Sequence, residues 1–142
     1  MSTFSTSRQF ATSPASVFSA IKDAARLATW WGPNGFSNKI DVFEFRPGGK
    51  WLSTMIGPDG TSYPNEAIFS VIEVDRKVVI QHTNQPHFSL AITLVPTPNG
   101  TLLHWEQTFA DPAVAQAMAH IVKPANEQNL DRLGIALGLS GS

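Results

Sequence analysis

The sequence predicts an α+β fold: one strand, two short helices, a six-stranded antiparallel meander and one long closing helix. Three observations predict it. Between Ile40 and Phe109, short runs of alternating apolar and polar residues are separated by turn clusters rich in proline and glycine, the pattern of hairpin-linked strands. Ahead of them, Ser13-Pro14 supplies a helix N-cap followed by a first-turn proline. Behind them, Leu130, Leu133 and Leu137 recur at i, i+3 and i+7, an apolar stripe that a helix can only stabilise by burying it.

The elements follow in order. Phe4 to Thr12 alternates weakly and reads as a first strand. Val17, Phe18 and Ile21 share one face of the helix begun at Ser13, and a second helix runs from Asp23 towards Trp30 with Leu27 inward. Ile40 to Arg46 is a strand, Pro47-Gly48-Gly49 a tight turn, and Lys50 to Ile56 its return. Gly57-Pro58-Asp59-Gly60 turns the chain again. The meander continues through Glu66–Val74, Val78–Thr83, Phe88–Val95 and Thr101–Phe109. Asp111-Pro112 opens a helical stretch to Val122, and Lys123-Pro124 is expected to restart it, because an internal proline breaks the i to i−4 ladder. Glu127, Asp131 and Arg132 are expected on its wet side.

A chain of 142 residues without an internal repeat or linker is one domain, residues 1–142, large enough to bury a sizeable core. A formal net charge of −1 and the absence of any Lys/Arg-rich run argue against nucleic acid and acidic lipid as partners. There is no cysteine, which excludes disulfides, thiol nucleophiles and cysteine-held metals. The Ser/Thr-rich start lacks the apolar core of a signal peptide, and no apolar run approaches the roughly 20 residues of a membrane span. A cytoplasmic protein without membrane insertion is the default expectation.

The chain is organised around Thr29-Trp30-Trp31-Gly32-Pro33-Asn34-Gly35-Phe36. Glycine and proline keep this stretch out of helix and strand, so its rings sit on a loop and need walls supplied by other elements. Together with Arg46-Pro47-Gly48-Gly49-Lys50-Trp51, Gly57-Pro58-Asp59-Gly60 and Leu130-Asp131-Arg132-Leu133, in that order, it resembles the START-like (SRPBCC) superfamily. The branch it resembles is related to the C-terminal domain of the heat-shock chaperone ATPase activator. The resemblance spans nearly the whole chain and implies a helix-grip fold, in which a curved sheet grips the last helix around a deep apolar cavity. It implies no single activity, since the superfamily includes lipid carriers, polyketide cyclases, toxin-sequestering proteins and chaperone partners. Members of this branch often carry Gly-Trp shortly before the Leu-Asp-Arg-Leu element; here Ala125 and Asn126 stand instead, a change expected to enlarge or polarise one cavity wall.

The candidate site residues follow from strand parity and from that implied cavity. Leu103, Trp105 and Phe109 share one parity of the last strand, so Gln107 should point inward with them, and His104 and Glu106 outward to water. His82 shares the parity of Val78 and Ile80. Gln107, His82 and Asn126 are thus the expected polar points of the cavity, with Glu66 a weaker inward acid. Trp30, Trp31, Phe36, Trp51, Met55, Phe69, Trp105 and Leu130 are its expected apolar lining. Of the two adjacent tryptophans, Trp30 is expected to be the inner one, because it continues the helical face of Leu27. None of His82, His87, His104 and His120 forms the i, i+4 pair typical of zinc sites, and no dinucleotide or phosphate fingerprint is present. No metal and no cofactor are expected. Two functions remain open: binding of an apolar, lipid-like or polycyclic molecule, and a cyclase-type enzyme working in the same cavity with His82 as proton carrier. A homodimer and, by family analogy only, a chaperone are the further partners considered.

Overall fold

The computed structural model describes residues 2–139. Its elements are β1 (Thr3–Phe10), α1 (Pro14–Lys22), α2 (Ala24–Trp30), β2 (Ser37–Phe43), β3 (Lys50–Ile56), β4 (Ser62–Glu73), β5 (Lys77–His82), β6 (Phe88–Thr97), β7 (Gly100–Phe109) and α3 (Pro112–Ala136). All strands pair antiparallel in one seven-stranded sheet ordered β1-β7-β6-β5-β4-β3-β2. The helices lie on its inner face, and α3 crosses that face. This is the helix-grip arrangement.

Local chemistry sets the corners. The Ser13 hydroxyl caps α1 by accepting from Ser16 N–H (3.2 Å), and Asp23 ends α1 and caps α2 in one step. Gly49 is required where it stands, because a Cβ there would collide with the Glu44 carbonyl oxygen. That tight return ends β2 at Phe43, not at Arg46, and the strand begins three residues earlier than its alternation suggests, at Ser37. β4 likewise starts before Glu66, at Ser62, and takes Pro64 into its pairing with Thr54.

Leu27, Trp30, Leu130 and Leu133 from the helices meet Trp51, Phe69, Ile80, Ile92, Leu103 and Trp105 from the sheet in one buried core. A smaller cluster joins Phe4 and Phe109 to Ala115 and Val122 near the start of α3. The closing helix does not restart at Pro124. It runs unbroken for 25 residues, with Pro124 inside it. Proline removes the bond that its nitrogen would donate to the His120 carbonyl, and His120 lies on the exposed side, where water can take that role. Val122 on one side of Pro124 and Leu130 and Leu133 on the other all bury against the same sheet, so docking holds the helix together through the break.

Candidate functional site

Trp30 is the last residue of α2, and Trp31 caps the helix in extended conformation. That switch sends the two rings different ways. Trp30 is fully buried in the core, with its indole N–H donated to the Ala20 carbonyl at 3.0 Å. The Trp31 ring instead lies 4.9 Å from Trp51 and 5.7 Å from Trp105, centroid to centroid. Trp31, not Trp30, is the ring that faces the space between sheet and α3.

Side chains of α3 hold the loop that follows. The buried Asn129 amide donates to Trp30 O (2.9 Å) and accepts from Gly32 N–H (3.2 Å), and Gln128 accepts from Asn34 N–H (3.1 Å). Gly32 has φ +96°, a left-handed conformation that glycine adopts without penalty. The Arg132 guanidinium donates from Nη1 to the carbonyls of Trp31, Gly32 and Pro33 and from Nη2 to those of Thr29 and Phe36, all at 2.9–3.1 Å. Glu127 and Asp131 keep the wet side expected of them, at about half exposure, and Arg132 does not. Arg132 turns back to stitch the loop, while Glu127 and Asp131 both pair with Arg8 of β1, at 3.0 and 2.8 Å. Burial pushes the Arg132 pKa down.

Behind Trp31 lies a cavity of about 330 Å³ between the sheet and α3. Trp31, Trp51, Met55, Ile80, Phe88, Leu90 and Trp105 form most of its wall, with His82, Asn65, Gln107, Asn126 and Asn129 as polar points. Of the residues expected here, Trp31, Trp51, Met55, His82, Trp105, Gln107 and Asn126 line it. The other four sit elsewhere. Trp30, Phe69 and Leu130 are buried core, Phe69 stacked on Trp51 at 5.9 Å, and Phe36 packs on Tyr63 at 5.9 Å. Glu66 is exposed, and its amide N–H bonds to Asn84 (3.1 Å). On β7, Leu103, Trp105 and Phe109 are buried, Glu106 is exposed and His104 is half-exposed, the alternation expected of the strand.

Besides Asn129, which is spent on the tryptophan loop, the polar points named come in two groups. Asn126 donates to Gln107 at 3.1 Å, so these two amides satisfy each other across the α3–β7 boundary. His82, stacked on Phe88 at 4.5 Å, has Nδ1 at 2.7 Å from Pro86 O and 3.0 Å from Asn84 O, and Nε2 at 2.7 Å from Asn65 Oδ1. With three oxygens around it, this ring donates from both nitrogens only as the imidazolium. The neutral ring donates from Nδ1 and needs the Asn65 amide turned to present its NH2. Burial pushes the His82 pKa down, partly offset by the two carbonyls, which favours the neutral ring. The indole N–H groups of Trp51 and Trp105, both buried in this wall, have no partner among the described residues. Sequence reasoning missed Asn65 and Asn129. Asn65 sits two residues from Ala67 and four from Phe69, on the inward parity of β4, so alternation alone places it inward.

A larger concavity, about 910 Å³, is an open groove outside the sheet edge between β1 and α3. Asn126 borders both spaces.

The family model described as "Activator of Hsp90 ATPase homolog 1-like protein" matches residues 11–138. The chain belongs to that family. No curated protein matches it. Among solved structures, it is similar to a protein from Nitrosomonas europaea with TM-score 0.89 at 19% identity, covering 96% of this chain and 94% of that one. It is similar to a protein from Arthrobacter aurescens with TM-score 0.88 at 22% identity, covering 99% and 88%. A third, the AHSA1 protein from Silicibacter pomeroyi, matches with TM-score 0.77 at 20% identity over 96% and 98%. At such identities these three carry the fold alone. Within the Activator of Hsp90 ATPase homolog 1-like family, the cavity must therefore be read from this chain's own residues.

Proposed function

We propose that the protein binds a small apolar molecule in the cavity between the sheet and α3, with Trp31 as its aromatic gate. The observation that carries this reading is the composition of the wall. Three tryptophans, a methionine and aliphatic side chains surround about 330 Å³, while the polar lining comes from the His82–Asn65 pair with Asn84 and Gln85 beside it, the Gln107–Asn126 pair, and Asn129. Small-molecule sites have this make-up, and the volume lies at the lower end of their range of roughly 300–1,000 Å³.

A cyclase-type enzyme would need His82 to exchange a proton with substrate. Both of its nitrogens already face protein oxygens within 3.0 Å, so binding is the reading retained. Titration of an environment-sensitive apolar dye into wild type, Trp31→Ala and Trp30→Ala tests it. Trp31→Ala should weaken dye binding at least fivefold while lowering stability less than Trp30→Ala does, because only the latter empties a fully buried site. Equal dye binding by wild type and Trp31→Ala, or none by wild type, would refute the reading. Native mass spectrometry of freshly purified protein then identifies any retained molecule.

A further inference from the structure

The two edges of the sheet are treated differently. A helix packs beside each edge, α2 beside β2 and α3 beside β1, but β2, at one edge, is also bulged between Ile40 and Val42, a device that keeps an edge from pairing. β1, at the other, runs Thr3–Phe10 in unbroken register with β7. Phe109 N–H donates to Ser2 O at 2.9 Å, which makes Ser2 and Phe109 a hydrogen-bonded pair. Antiparallel alternation then directs the backbone groups of Phe4, Thr6 and Arg8 to β7, and turns the N–H and C=O of Thr3, Ser5 and Ser7 to the free side. No protein group among the described residues bonds to the backbone of Thr3 or Ser5 on that side.

This open stretch is one wall of the groove of about 910 Å³, and α3 is the other. Ala115, Ala119 and Lys123 succeed one another at i, i+4 and i+8 along the helix wall. Ala115 is buried against Phe4 and Phe109, while the half-buried Ala119 leaves room beside the edge. Lys123 is exposed and has no carboxylate within 4.0 Å among the described residues, whereas Glu127 beside it is already paired with Arg8. The groove thus offers a backbone template spaced about 7 Å between Thr3 and Ser5, shallow side-chain space, and one unbalanced positive charge.

We propose that this groove receives an extended peptide segment of another protein, added to β1 as an eighth strand with an acidic side chain directed at Lys123. Main-chain bonds to Thr3 and Ser5 supply affinity, and Lys123 supplies selectivity, as in strand addition generally. A second copy pairing β1 to β1 fits less well. Two-fold symmetry would bring two α3 walls and two Lys123 side chains towards the same seam.

The probe is a fluorescein-labelled, terminally blocked six-residue peptide alternating valine and threonine, with one glutamate, followed by fluorescence polarisation against the full chain. Ser5→Pro removes the outward N–H without touching the β7 ladder, and edge strands accept proline at such positions. It should weaken binding at least tenfold. N-methylation of alternate peptide amides should do the same, and that arm is independent of whether the variant folds. Lys123→Glu should weaken the glutamate peptide severalfold and favour a lysine-bearing counterpart. On binding, the Thr3 and Ser5 amides should change from fast to slow hydrogen exchange. The proposal is overturned if millimolar peptide gives no signal, or if Ser5→Pro and the N-methylated peptide bind as well as their parents. It is also overturned if those two amides are already protected in a concentration-dependent dimer, which would assign the edge to a second copy.

Discussion

Arg132 offers the sharpest test of how the tryptophan loop is held. Replacing it with methionine keeps the aliphatic stem and deletes the guanidinium that serves five carbonyls. Their losses differ. Trp31 O keeps a second donor, the Asn38 amide at 2.9 Å. Thr29, Pro33 and Phe36 are exposed or half-exposed, so water can reach their oxygens. Gly32 is buried, and its carbonyl loses its partner. One buried unsatisfied carbonyl costs about 1–3 kcal/mol, and the lost charge-assisted tethers add on the order of 1 kcal/mol net. Arg132→Met should therefore cost about 2–4 kcal/mol, or roughly 10 °C in melting temperature for a domain of this size. Arg132→Lys should recover less than half of that, because an ammonium cannot span carbonyls arranged for a planar fork. Urea unfolding followed by tryptophan fluorescence measures both. Arg76→Met, which breaks only the exposed Glu73 pair at 3.2 Å, is the control and should cost less than about 0.5 kcal/mol. A loss below about 1 kcal/mol for Arg132→Met would show that the loop holds itself.

Three further outcomes are expected. Leu133→Ala, at a fully buried position of α3, should cost about 2–5 kcal/mol in the same unfolding assay; a smaller loss would mean that the helix docks loosely. The folded-state pKa of His82 lies below the unfolded value near 6.5, so as pH falls through that value the unfolded chain binds the proton first and stability drops. Wild type should thus lose more stability between pH 7.5 and 5.5 than His82→Gln does, and parallel profiles would contradict the burial argument. Dialysis against a strong chelator should leave the melting temperature unchanged, whereas a native-state metal would lower it on removal by mass action.

Where each residue's role follows from its immediate neighbours in the chain, the sequence by itself determined the outcome. Alternation in β7 placed Leu103, Trp105 and Phe109 inward and Glu106 outward, because side chains on a strand have a period of two and one face had to be buried. The caps at Ser13 and Asp111, the turn at Gly48-Gly49 and the stripe of α3 were legible for the same reason. What only the tertiary structure decided depends on partners far along the chain. Arg132 meets carbonyls 96–103 residues away, and a carbonyl acceptor leaves no mark in its own side chain, so an arginine on a helix reads as solvated until the loop is seen beside it. Asn129 is hidden in the same way, since its two partners are backbone groups of Trp30 and Gly32. The choice between Trp30 and Trp31 turned on one change of backbone conformation at the end of α2, a single dihedral that periodicity does not encode. The continuity of α3 through Pro124 was settled by burial on both sides of the break, a packing energy that exists only once the sheet is there to receive it.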